Sequence, residues 1–338
     1  MNFDKIKIII KDQPKFRLKQ VFKAVFVDLI SDWNENTTLP LSLRETLNKE
    51  CPIDIKAKVF GSENSETLKA LITLDDGSEI ETVLMKHGDG RATVCVSSQV
   101  GCPMRCDFCA TGKMGYKRNL DSGEIIEQVL FWQRYLHESG VEPRKLTNVV
   151  YMGMGEPFLN YDNVIESAKI INDKDGINIG ARHISISTCG LVPGIKQFAK
   201  EKMQINLAIS LHAPNDKLRS ELMPVNSKYP IKELMSEVEN YVSNRSRQVM
   251  FEYLMIDGVN DSEYHAKELA GLMNNPLYVV NLIRYNQTGK FHPSSATAIK
   301  KFTNILMREG IKVIQRYSFG SDINAACGQL AGMNEKEG

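Results

Sequence analysis

The chain has 338 residues, 42% apolar and 25% charged, a balance that fits a globular protein able to bury a large core. No run of about eighteen apolar residues occurs and the opening MNFDKIKIIIKDQ is too charged for a secretory leader, so the expectation is a cytoplasmic protein with no membrane span. A net charge of +1 rules out an overall polycation, and seven cysteines, an odd number with three in one loop, suit a reducing compartment where thiols serve as ligands or reactants.

The N-terminal stretch is locally basic: Lys5, Lys7, Lys11, Lys15, Arg17, Lys19 and Lys23 stand against Asp4 and Asp12. Such a start fits either contact with phosphate or a solvated helix face. Phe16, Val21, Phe22, Val25, Phe26 and Leu29 recur near helical spacing and predict a helix over 16–30, with a second over 42–49 after Pro40. Runs over 67–74 and 78–85, joined by Asp75-Asp76-Gly77, predict a β-hairpin. Glu81 lies on its second strand, where the residue type alone reads as solvent-exposed. Residues 1–88 therefore read as a small α+β accessory domain ahead of a larger one, 89–338.

The segment RATVCVSSQVGCPMRCDFCATGKMGYKR, Arg91 to Arg118, carries Cys102, Cys106 and Cys109 as C-x₃-C-x₂-C after a β-like run over 93–98. Three thiolates at this spacing can hold three irons of a [4Fe–4S] cluster and leave one iron open to a ligand. Structural zinc is the competing reading, but it usually takes four Cys or His ligands in paired units, and no second pair follows.

From here the rhythm is β/α. Asp121 with Glu124 predicts a capped helix to about His137. Strand-like runs over 146–152, 183–187, 204–210, 248–254, 279–283 and 312–317 alternate with helical ones over 161–171, 192–200, 231–242, 262–273 and 296–309. This alternation predicts parallel strands with right-handed crossovers, hence a complete or partial α/β barrel. In such a sheet chemistry belongs at the carboxyl ends of the strands. Gly153-Met154-Gly155-Glu156-Pro157, Ser187, Ser210-Leu211-His212 and Asn286 fall there. Gly155 lets backbone approach a ligand and Glu156 can take an ammonium group, although each of these features alone reads as ordinary loop polarity.

Two further cysteines stand out. Cys95 enters the cluster loop, and Cys327 lies in Asp322-Ile323-Asn324-Ala325-Ala326-Cys327-Gly328-Gln329-Leu330. A cysteine is more often a small buried hydrophobe, the reading given to Cys51 and Cys189, whereas the small neighbours of Cys327 suit an accessible thiol.

The cysteine triad with Phe108 just before its third member resembles the radical S-adenosylmethionine (SAM) superfamily, and the A-A-C-G-Q-L tail with Gly155-Glu156-Pro157 resembles its RlmN/Cfr family of RNA adenine methylases. The resemblance runs from Phe16 to Leu330 and implies an open (β/α)₆ radical SAM barrel. It implies that Cys102, Cys106 and Cys109 hold the cluster and that Gly155, Glu156, Ser187, Ser210, Leu211, His212 and Asn286 bind SAM. It also implies that Cys327 takes a methyl group from one SAM and that a radical from a second SAM activates that group. The carbon then adds to adenine, Glu81 accepts the adenine proton, and Cys95 resolves the adduct by attacking the Cys327 sulfur. The implied partners are 23S rRNA at the peptidyl transferase centre, tRNA as a second substrate, and a reductant such as flavodoxin. RlmN-type members act on adenine C2 and Cfr-type members on C8. Ser210 to Asp216 looks RlmN-like and Asn281 to Asn286 Cfr-like, and the reading adopted is C2. A radical SAM enzyme acting on another substrate, or a non-catalytic RNA-binding protein with a metal loop, are the readings from other classes.

Overall fold

At Ala92 the chain enters a strand buried along its whole length, and there the sheet changes from antiparallel to parallel. The structure is a computed structural model and describes residues 1, 3–62, 65–140, 142–316, 325 and 328–330. Three helices come first, α1 (Phe3–Ile9), α2 (Phe16–Phe26) and α3 (Leu41–Glu50). Strands β1 (Ala57–Phe60), β2 (Thr67–Thr73) and β3 (Glu79–Lys86) follow as an antiparallel set, turned at Gly77 with φ 76°, and include the expected hairpin. Neither α1 nor β1 was expected, since both are short and carry charges at regular intervals.

Strand β3 pairs antiparallel with β4 (Ala92–Cys95), which opens the parallel series β7 (Asn148–Tyr151), β8 (Ile184–Thr188), β9 (Asn206–Ser210), β10 (Val249–Met255), β11 (Tyr278–Arg284) and β12 (Lys312–Arg316). The order β1-β2-β3-β4-β7-β8-β9-β10-β11-β12 leaves a curved, open sheet, with β12 paired only to β11 among the described residues. Helices α5 (Ser122–Ser139), α6 (Tyr161–Asn172), α7 (Val192–Phe198), α9 (Ile231–Arg245), α10 (Glu263–Leu272) and α11 (Ala296–Arg308) supply the crossovers. The short α8 (Asp216–Leu222) precedes α9, and the cluster loop holds β5 (Gln99–Gly101), α4 (Ala110–Met114) and β6 (Tyr116–Asn119).

Helix α5 shows how the layers join. Its capping box forms as expected: Asp121 accepts from Glu124 N–H, and the Glu124 carboxylate accepts from Asp121 N–H. Ile125, Val129, Trp132 and Leu136 pack into the barrel core, while Ile126 and Leu130 belong to a second core formed with α1, α2 and α3. Buried Arg134 ties the layers further, donating to the carbonyls of Ile53 and Ile30. Residues 1–53 thus have their own core, whereas β1 to β3 continue the barrel sheet without a break in pairing. No described helix is long and apolar enough to cross a membrane.

Candidate active site

The carboxyl ends of β4 and β7 to β11 open onto one cavity holding about 1360 Å³ of empty space, part of it continuous with solvent. Strand pairing with the ends of the cluster loop fixes that loop over it. Strand β5 pairs with β6, and Cys102 N–H donates to the Gly115 carbonyl at 2.7 Å. Gly101 permits this closure: its φ is 75°, and a Cβ there would meet Gly115 O. Asp107 N–H donates to Leu222 O at 3.0 Å, and Thr288 Oγ1 donates to Phe108 O at 2.7 Å, so α8 and the loop after β11 hold the cysteines from two sides.

Cys102, Cys106 and Cys109 all line the cavity. Burial pushes the Cys102 thiol up to about 12 and the Cys106 thiol well above its ordinary range, with the neighbouring thiols adding to both shifts. A cation bound at the sulfurs reverses that balance, because a coordinating thiol loses its proton outright. Among the described residues no three His, Cys, Asp or Glu side chains converge tightly enough for a single ion. The three thiols instead share one cavity wall, which fits a cluster held at three corners.

Glu156 faces them, 3% exposed. Its carboxylate accepts from Phe158 N–H at 3.0 Å and Cys189 N–H at 2.7 Å. Burial raises its pKa, and the two N–H donors pull the other way. An ammonium group placed here answers the same desolvation. Gly155, with φ 102°, has no room for a side chain, since a Cβ would stand 2.6 Å from that of Gln99. Ser187, Ser210, His212 and Asn286 also line the cavity. The Leu211 side chain is fully buried and is not among the lining residues.

His212 has a left-handed φ of 56° and sits edge-on to Phe108, with ring centroids 4.9 Å apart. Its Nδ1 accepts from Leu254 N–H at 3.1 Å, which leaves the proton on Nε2. Burial, reinforced by the charge of Arg219, lowers its pKa to about 3. Arg219 is itself completely buried and donates to the carbonyls of Leu211, Cys189 and Ser210, clamping the ends of β8 and β9.

Cys95 ends β4, opposite Val83 and Val150, and lines the cavity. Cys327 lies outside the described residues. Its described neighbours Ala325 and Gly328 line the same cavity, and the Gly328 carbonyl accepts from Ala110 N–H at 2.8 Å beside the third cysteine. Glu81 is 2% exposed rather than solvent-facing and ion-pairs with Lys69 at 3.3 Å. Val83 and Met85, on the same face of β3, line the cavity and Glu81 is not among its lining residues. Lys69 and Glu252 had no place in the sequence reading, and Cys189 had one only as a small buried hydrophobe. Cys189 and Glu252 line the cavity, and Glu252 had a signal: it is the lone carboxylate in the otherwise apolar run VMFEYLM.

The Radical SAM superfamily model matches residues 96–270. A probable dual-specificity RNA methyltransferase RlmN of Dictyoglomus thermophilum is 45% identical over 333 residues, 97% of this chain and 94% of that protein. A protein of the same description from Enterococcus faecalis is 41% identical over 331 residues, 96% of this chain and 92% of its own. The crystal structure of a radical SAM methyltransferase from Sphaerobacter thermophilus superposes with a TM-score of 0.93 at 44% identity, covering 98% of each chain.

Proposed function

We propose, given that this chain belongs to the RlmN family of radical SAM RNA methyltransferases, that it methylates C2 of an adenosine in 23S rRNA and of an adenosine in tRNA. The carrying observation is one cavity that gathers the three cluster cysteines, Cys95, Glu156 and both described neighbours of position 327. The C8 reading and the non-catalytic RNA-binding reading are not favoured, since the relatives are named for RlmN.

A [4Fe–4S] cluster with SAM supplies, when bound, an electron to cleave a sulfonium and hence a carbon radical, which no side chain provides. In this reading Cys102, Cys106 and Cys109 hold three cluster corners. Glu156 takes the ammonium of SAM, the hydroxyls of Ser187 and Ser210 and the amide of Asn286 hold its polar groups, and His212 presents Nε2–H as a neutral donor. The burial of Glu156, Ser187, His212 and Asn286 supports the reading, because hydrogen bonds in a dry cavity are strong and a reactive radical there is kept from water. Cys327 is the proposed methyl carrier. Cys95, as a thiolate, attacks its sulfur after the carbon–carbon bond has formed, so a disulfide forms as the sulfur–carbon bond breaks, the released carbon keeps the bonding pair and takes up a proton to become the methyl group, and the product leaves. Glu81 is the proposed acceptor of the adenine proton. Residues 1–88 are proposed as the RNA-contacting domain, with an external reductant such as flavodoxin supplying electrons.

The two thiols give the test. After anaerobic incubation with SAM, reductant and labelled RNA, Cys95→Ala should accumulate a covalent protein–RNA species on a denaturing gel, and Cys327→Ala should form none. Free methylated RNA released normally by Cys95→Ala contradicts the reading.

A further inference from the structure

Glu252 is a carboxylate inside the barrel, 4% exposed, on the wall of the reaction cavity. Parallel register sets it level with Ser210 on β9 and Asn281 on β11. Ser210 Oγ lies 3.2 Å from Ser187 Oγ, so Ser187, Ser210, Glu252 and Asn281 form a polar band across four adjacent strands. Next to this band the wall is apolar, with Val83, Val150, Leu254 and Ile283.

The Glu252 backbone carbonyl, not its side chain, accepts from Leu211 N–H at 3.1 Å and His212 N–H at 3.2 Å and so fixes the loop after β9. On the side chain, Asn281 Nδ2 donates to Oε2 at 2.8 Å. The Asn281 Oδ1 atom, on a residue 5% exposed, has no hydrogen-bond partner among the described residues. A carboxylate offers about four acceptor positions, so Glu252, which lines the cavity and is held by Asn281 from the neighbouring strand, has the chemistry to receive donors from a ligand there. Ribose hydroxyls are such donors, and an acidic side chain is a common acceptor for them in nucleotide sites.

We infer that Glu252, oriented by Asn281, is a binding subsite for the ribose hydroxyls of a nucleoside in the cavity. The inference rests on the proposed reading of that cavity as a place where nucleosides react. Two nucleosides meet there in that reading, SAM with two free ribose hydroxyls and the target nucleotide with its 2′-hydroxyl, and the subsite serves one of them.

Binding to the cluster-loaded protein separates the cases. Glu252→Gln keeps the size of the side chain and an acceptor for Asn281 but loses the charge. It should weaken either SAM or RNA by about ten- to a hundredfold, the usual effect of losing a charged hydrogen bond, and leave the other ligand unchanged. Loss of SAM affinity assigns the subsite to the cofactor, and loss of RNA affinity assigns it to the substrate. A folded variant that binds both normally overturns the inference and leaves the proposed function standing, whereas wild-type protein that binds neither overturns both. Should Glu252→Gln not fold, the wild-type protein provides the measurement, with the 2′-deoxyadenosyl analogue of SAM and RNA carrying 2′-deoxyadenosine at the target. One of the two should bind at least about tenfold more weakly than its parent ligand. Undiminished binding of both rules the subsite out.

Discussion

The Lys69 ammonium lies 3.3 Å from the Glu81 carboxylate, and the two side chains are 3% and 2% exposed. Strand register explains the meeting: Lys69 on β2 is opposite Val83 and Glu81 opposite Leu71, so the two charges face each other diagonally on one side of the sheet. The Lys69 ammonium also lies 5.2 Å from the centre of the Phe60 ring. Breaking a buried pair from one side typically costs about 3 to 5 kcal/mol, because the remaining charge stays desolvated. Lys69→Met should therefore destabilise by that order in urea unfolding, and Lys69→Met with Glu81→Leu should recover most of the loss. A single variant within about 0.5 kcal/mol of wild type, the range of ordinary surface changes, shows that the pair does not act as a buried one.

Glu156 has a structural duty as well as a proposed ligand. The N–H groups of Phe158 and Cys189 bond separate oxygens, so Gln at this position keeps an acceptor for one of them, turns an amide NH₂ toward the other, and loses the charge that the ammonium of SAM requires. Glu156→Gln should weaken SAM binding about ten- to a hundredfold, read by equilibrium dialysis with cluster-loaded protein. An unchanged dissociation constant removes Glu156 from the binding site.

His212 imposes a pH dependence on stability. Its folded pKa, lowered to about 3 by burial and by Arg219, lies below the ordinary unfolded value of about 6.5. Between these values the unfolded chain binds the extra proton and the folded chain does not, so stability falls as pH drops from about 6.5 toward 3, by at most about 1.4 kcal/mol per pH unit. His212→Asn should cost stability at pH 7.5 and progressively less at pH 6 and 5, because only the wild type suffers the histidine's desolvation. Urea midpoints for both proteins across this range check it, and parallel lines would mean that His212 charges freely in the fold.

Much of the fold was legible because its signals are local. The Asp121 and Glu124 capping box, the Asp-Gly turn and the alternation of apolar runs with amphipathic helices each depend on residues near in sequence. The C-x₃-C-x₂-C spacing was legible for the same reason, and the structure puts its three thiols on one cavity wall. Pairing across distant strands was not. Glu81 reads as an exposed strand position and Lys69 gives no signal, and only their meeting across β2 and β3 shows them as a buried pair. Cys189 reads as filler until the loop after β8 carries it to the cavity wall and sets its N–H on Glu156. Glu252 needs the curvature of the barrel to show that its face of β10 is the cavity side, although its isolation among apolar neighbours marks it.

The most direct measurement is mass spectrometry of nucleosides from 23S rRNA incubated anaerobically with the cluster-loaded protein, SAM and a reductant. A methyl group on adenine C2 at a single adenosine, absent when Cys327 is replaced by Ala, is the expected result. Methylation at C8, or unmodified RNA from protein shown to carry its cluster and to cleave SAM, contradicts it.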